Sequence, residues 1–99
     1  MDDRKKGITK IIKECKNIGK KTAPDFYDAG IYGLDDLKQL GAKEAFFKVW
    51  TNNPNHVCIH PVYIWAIEGA IQGRAWNDLS EAKKKEFKQY AQDLKESFK

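Results

Sequence analysis

The sequence predicts an all-α fold of five to six short helices, and three observations predict it. Apolar residues recur at helical spacing along nearly the whole chain. Glycine, proline and asparagine punctuate those stretches where helix ends belong. The one β-branched stretch, His56 to Ile59, has no second strand to pair with, so it reads as extended coil. The chain has 99 residues, read as a single domain over 1–99, and its 41% hydrophobic and 32% charged content is that of a folded rather than a disordered protein.

Ile8, Ile11, Ile12 and Cys15 follow the i, i+3, i+4, i+7 pattern of one helix face, and Asn17 to Gly19 ends that helix. A second helix begins at Thr22-Ala23-Pro24-Asp25. Thr22 and Asp25 resemble a capping box with Asp in place of Glu, and Pro24 suits a first turn because its missing N–H has no partner there. This helix carries Phe26 and Tyr27 and stops at Ala29-Gly30-Ile31. With Gly30 left-handed, Phe26 and Ile31 fall on the two positions that touch in a Schellman motif.

A third helix runs from Leu34 to Leu40, with Asp35 and Asp36 near its positive end. Gly41 is expected to end it the same way, pairing Leu37 with Ala42. The fourth covers Lys43 to Trp50, with Ala45, Phe46, Val49 and Trp50 apolar, and Thr51 to Asn55 reads as a loop. Pro61 opens the fifth helix, apolar on more than one face and hence the most buried. Its Gly69 and Ala70 are small enough to admit a neighbouring helix. Gly73 to Asn77 links to the last helix, for which Ser80 is the N-cap, with Asp78 competing. Phe87, Tyr90, Ala91, Leu94 and Phe98 form its apolar stripe.

No apolar run approaches the roughly 20 residues that span a bilayer, so no membrane is expected. The charged N-terminus lacks the apolar stretch of a secretory signal, which points to the cytoplasm. Cys15 and Cys58 are accordingly read as free thiols, Cys15 as a small buried hydrophobe.

The formal charge is +4, and its placement says more than its size. Residues 1–21 hold eight Lys or Arg against three acids, a net +5, whereas residues 22–99 hold ten against eleven. That asymmetry favours phosphate partners. It sits at one end of the chain, beside Lys16-Asn17-Ile18-Gly19-Lys20-Lys21-Thr22-Ala23, which is similar to the turn of a helix-hairpin-helix. Lys13, Lys16, Asn17, Gly19, Lys20 and Lys21 are therefore the candidates for contact with DNA phosphates, through ammonium groups and turn N–H groups. Nothing in the run reads base edges, so such contact would be weakly sequence-selective. The other reading of the same residues is purely structural: Ile18 fills the core and Gly19 makes the turn.

His56, Cys58 and His60 alternate like metal ligands, but zinc takes four ligands, usually in two separated pairs, and no second pair exists. No metal, cofactor or catalytic residue is expected, since no acid, base and nucleophile form a constellation. Glu68 interrupts the most apolar helix and is read as a partner of Arg74 or of a backbone group. Trp50, Trp65 and Trp76 could stack on bases as in single-strand binders, but their helical spacing reads as core packing instead. Trp76 lies in a loop and is the candidate for a protein-interaction surface.

From Lys16 to Leu94 the chain resembles the C-terminal domain of the TfoX/Sxy family of bacterial competence regulators. The likeness rests on Asn17-Ile18-Gly19-Lys20-Lys21-Thr22-Ala23 followed by Asp28-Ala29-Gly30-Ile31; on the stretch from Leu34 to Ala45; and on Trp65 to Gly73 leading into Trp76-Asn77-Asp78-Leu79. The resemblance implies an all-α domain around a helix-hairpin-helix, and a place among proteins linked to DNA uptake and transcription. The chain departs from the pattern in three ways. It lacks the N-terminal domain of longer members and so reads as a stand-alone domain. Asn17 stands where DNA-binding hairpins carry a first glycine, and Pro24 removes one N–H. The expected function is a non-enzymatic regulatory module contacting DNA backbone. The alternative is a protein–protein adaptor that binds no nucleic acid and meets another regulatory protein. The oligomeric state is left open.

Overall fold

A computed structural model describes residues 2–97. The described residues form six α-helices and no strand: α1 (Asp2–Glu14), α2 (Ala23–Asp28), α3 (Leu34–Leu40), α4 (Ala42–Asn52), α5 (Pro61–Gln72) and α6 (Glu81–Ser97). The all-α expectation holds, with six helices. Phe98, assigned by its spacing to the stripe of the last helix, lies outside the described residues. Among the described residues no helix is long and apolar enough to cross a membrane.

Several helix ends follow from local chemistry alone. At the end of α2, Gly30 takes φ 87°. Its N–H donates to Tyr27 O at 3.0 Å, and Ile31 N–H donates to Phe26 O at 2.9 Å, the bond pair of a Schellman motif. Phe26 and Ile31 are both buried, so the turn is clasped by apolar contact as well as by backbone. His60 is extended, as a residue before proline prefers to be, and its Nδ1 accepts from Val62 N–H at 3.1 Å, capping α5. Ser80 Oγ accepts from Lys83 N–H at 3.2 Å, which settles the N-cap of α6 in its favour over Asp78.

Two expected ends form differently. The Thr22–Asp25 capping box is absent. Gly19 O already accepts from Thr22 N–H (3.2 Å) and Ala23 N–H (2.9 Å), so the chain is turning before Thr22. Thr22 consequently sits at φ −100°, ψ −28°, in the helical region, where its side chain makes no cap bond. Asp25 faces inward instead, only 9% exposed, with Oδ2 3.6 Å from His56 Nε2. Gly41 also departs from expectation. At φ 81°, ψ 163° it accepts from Ala45 N–H (3.0 Å) while donating to Leu37 O (2.8 Å). One residue thus ends α3 and starts α4, with no room for a Schellman turn. The fourth helix therefore begins at Ala42 and continues to Asn52, and Thr51 Oγ1 donates back to Phe47 O at 2.8 Å rather than opening a loop.

The core gathers around α5, which packs against α3, α4 and α6. The Tyr63 ring lies parallel to Phe26 (6.1 Å between centroids, 4°) and edge-on to Phe46 (5.4 Å, 66°), joining α2, α4 and α5. Each fully buried side chain of this size contributes about 1.5–3 kcal/mol. Helix α1 packs against α2. A Cβ at Gly7 would overlap the Tyr27 ring, so glycine lets the two helices cross closely. Arg4 grips Asp28 with two hydrogen bonds, Nε–Oδ1 at 3.2 Å and Nη2–Oδ2 at 3.0 Å. At the other end of α1, Glu14 Oε1 accepts from Leu34 N–H at 3.1 Å and caps α3, where Gly33 has no side chain to do so. Both cysteines are free. Cys15 is buried, and desolvation, helped by the Glu14 charge, pushes its thiol up to about 11, so it is an inert core residue.

Helix propensity alone favours alanine over Gly7 by about 1 kcal/mol. The ring contact reverses the sign: Gly7→Ala should destabilise by about 1–2 kcal/mol. In a Tyr27→Ala background the same change should stabilise by about 1 kcal/mol. Urea unfolding of the four variants checks this cycle.

Burial raises the Asp25 carboxyl above its ordinary range; the His56 charge opposes this, and the Asp28 charge adds to it. The folded state therefore holds this proton more tightly than the unfolded chain does. Its contribution is full below the unfolded carboxyl value, about 3.9, and is lost as pH rises through the higher folded value. Relative to wild type, Asp25→Asn should thus gain stability as pH rises across the acid range. Urea midpoints of both proteins at matched pH measure the difference.

Candidate nucleic-acid interface

The turn between α1 and α2 is built on Asn17, the described non-glycine residue with a positive φ, 73°. Asparagine tolerates this conformation better than most residues, which is why the turn survives without a glycine there. Its side chain then reaches across the molecule. Nδ2 donates to Arg74 O at 2.8 Å and to Ala66 O at 3.3 Å, and Oδ1 accepts from Trp76 N–H at 3.1 Å. Gly69 makes this possible: a Cβ there would stand 2.6 Å from Asn17 Nδ2 and 2.7 Å from Arg74 O. The close approach expected at Gly69 is therefore made by one amide side chain and a backbone carbonyl rather than by a neighbouring helix.

These bonds sort the candidate phosphate ligands. The side chain of Asn17 is half-buried and engaged by the fold. Lys13, Lys16, Gly19, Lys20 and Lys21 are exposed. None of these lysines forms an ion pair among the described residues, and no described group accepts from the N–H of Gly19, Lys20 or Lys21. Ile18 is buried, so the turn also serves the core. Lys20 comes alongside α1, where it shares an open groove of about 430 Å³ with Arg4, Lys5 and Thr9 over Ile8 and Ile12. A second groove, of about 680 Å³, runs along α1 between Lys5, Lys6, Lys10 and Lys13, with Glu14 also in its wall and 3.8 Å from Lys10. Arg4 and Lys5 belong to the basic segment of the sequence but not to its candidate phosphate ligands. Helical spacing from Ile8 and Ile12 is the signal that places them on the face nearest the turn.

The other candidates have ordinary partners. His56 faces Asp25, and His60 caps α5. Cys58 is exposed, and among the described residues no three His, Cys, Asp or Glu gather as a metal site. Cys58 and His60 line a cavity of about 310 Å³ with Ile18, Phe26, Tyr63 and Ile67. Tyr63 Oη is buried without a hydrogen-bond partner among the described residues; desolvation, with the Asp25 charge, pushes its phenol up. Glu68 has no ion pair with Arg74: Gln72 Nε2, one turn on, donates to it instead. Trp76 is 41% exposed and lies parallel to Trp65, at 6.4 Å between centroids and 6°.

The family model of the TfoX C-terminal domain matches residues 8–91. Two crystal structures from Listeria monocytogenes share this fold at 43% identity and a TM-score of 0.75. One is a triclinic form of an uncharacterized protein, matched over 85% of this chain and 92% of that one. The other is a tetragonal form of a protein of unknown function, matched over 84% and 98%. No curated protein matches the chain.

Asn17→Gly would restore the glycine usual in such turns and keep the backbone relaxed, yet it should destabilise by about 2–3 kcal/mol, because three hydrogen bonds disappear. Asn17→Ala should cost about 1 kcal/mol more, the penalty for a positive φ with a Cβ. Urea unfolding of both variants tests whether the side chain or the turn matters more.

Proposed function

The chain belongs to the TfoX C-terminal domain family, and on that basis we propose that it is a non-enzymatic regulatory module that meets DNA backbone through the α1–α2 turn and the basic face of α1. One observation carries this reading: Lys20, from the turn, lines one groove with Lys5 of α1, beside an Arg4 that is itself paired with Asp28. Cations distant in sequence thus present a single surface. Lysines without intramolecular partners can release counterions from phosphates without breaking ion pairs first. The unpartnered N–H groups of the turn add donors of the kind phosphate oxygens accept. The planar guanidinium in this groove, that of Arg4, is held by Asp28, so the surface meets backbone rather than base edges and sequence selectivity is weak. A second reading, a protein–protein adaptor, is supported by the exposure of Trp76. It would be lost if the chain remained monomeric and a pull-down recovered no specific partner.

Fluorescence anisotropy with a short labelled duplex, titrated between about 50 and 200 mM salt, tests the DNA reading. Lys20→Glu/Lys21→Glu should weaken binding tenfold or more at the low end. It should also flatten the log–log salt slope by about 1.8, or about 0.9 for each phosphate no longer neutralised. Absence of wild-type binding at low salt, or overlaid isotherms for the two proteins, would sink the proposal.

A further inference from the structure

Trp76 stands out as a large aromatic ring that is both exposed and fixed. The backbone N–H of Trp76 donates to Asn17 Oδ1, and Asn17 Nδ2 donates to the carbonyl of Arg74 two residues earlier. The loop carrying Trp76 is therefore bolted to the turn carrying Lys16, Lys20 and Lys21. The ring itself rests on Trp65, whose Nε1 donates to Lys84 O at 3.2 Å, and Trp65 is half-buried against the core. With its ring parallel to that of Trp65, Trp76 remains 41% exposed as a residue. Exposed Lys16 precedes Asn17 in the chain, and exposed Arg74 lies two residues before Trp76. The backbone that carries this ring is thus tied to the turn that carries exposed lysines.

That combination selects among nucleic acids. Lysines alone accept any phosphate backbone. A flat ring adds affinity only when a base can lie on it, and the bases of a duplex are already stacked within the helix. An unpaired base has a free π-face, and stacking on an aromatic side chain is the usual way such bases are held, whatever their identity. We propose that this surface takes single-stranded nucleic acid in preference to duplex, with one unpaired base stacked on Trp76 and its flanking phosphates met by Lys16 and the turn lysines. The proposal rests on the backbone-contact reading above and specifies its ligand.

The test compares a labelled oligo(dT) with a duplex of equal length, at low salt, on four proteins: wild type, Trp76→Ala, Trp76→Phe and Lys20→Glu/Lys21→Glu. Wild type should prefer oligo(dT). Trp76→Ala should weaken oligo(dT) binding about tenfold and leave duplex binding within about twofold, because the lysines that meet phosphate are untouched. Trp76→Phe should retain most of the affinity, and the quenching of tryptophan fluorescence seen on titrating wild type should vanish in it. This quenching readout decides the matter if Trp76→Ala fails to fold. The inference is overturned if duplex binds as tightly as oligo(dT), if quenching is absent, or if Trp76→Ala keeps full oligo(dT) affinity. In each of these cases, loss of binding in the double lysine variant keeps the backbone reading alive. If neither nucleic acid binds wild type, both proposals fall together.

Discussion

One asparagine side chain holds this molecule in its register. Asn17 is joined to Ala66, Arg74 and Trp76, residues 49 to 59 positions away. Without those bonds, the α1–α2 corner would rest on α5 only through apolar contacts, which are not directional. The amide fixes both distance and angle, because its nitrogen and its oxygen are each tied to backbone groups of a distant segment. Gly69 is the complementary requirement, since any side chain there would fill the space the amide occupies. Two residues that look unrelated in the sequence are thus two halves of one joint.

This joint explains why the segments that carry the family likeness lie so far apart in the chain. The first contains Asn17. The third contains Ala66 and Gly69 and leads into Trp76, and these residues receive the amide. The middle segment enters through Leu34, whose N–H is capped by Glu14 just before the turn. What resembles a functional signature around Asn17 is therefore, at that residue, a folding constraint. The chemistry left free for a partner belongs to its neighbours Lys16, Lys20 and Lys21, which are exposed.

Legibility in the sequence follows the range of the interaction. The Phe26–Gly30–Ile31 clasp and the Ser80 cap are readable because each is decided within six residues. The Thr22–Asp25 pattern misleads although it is equally short. A turn begun at Gly19 has already fixed the Thr22 backbone, and burial beside His56 claims Asp25. Gly41 is legible as a helix end but not as the start of the next helix, because a residue serving both leaves no loop to see. The partners of Asn17 and Glu68 are hidden for different reasons. Those of Asn17 are long-range, whereas Glu68 takes a neighbour on its own helix, Gln72, over the charged Arg74. Arg74 is drawn by its carbonyl toward Asn17, a role that its charge does not announce.

The division of labour within the turn bears on how the surface can work. A residue that both held the fold and bound a ligand would trade one task against the other, and loss of either would look alike in an assay. Here the two are assigned to different atoms. The amide of Asn17 and the side chain of Ile18 serve the fold, while the lysines and the N–H groups of Gly19, Lys20 and Lys21 stay unengaged among the described residues. Exposed lysines without ion pairs contribute little to stability, so their charge can be reversed with the scaffold intact. The same bolt that stabilises the corner also ties the backbone of Trp76 to the turn that carries those charges. Rigidity made for folding thereby supplies, with no further ordering of the chain, the preorganisation that a binding surface needs.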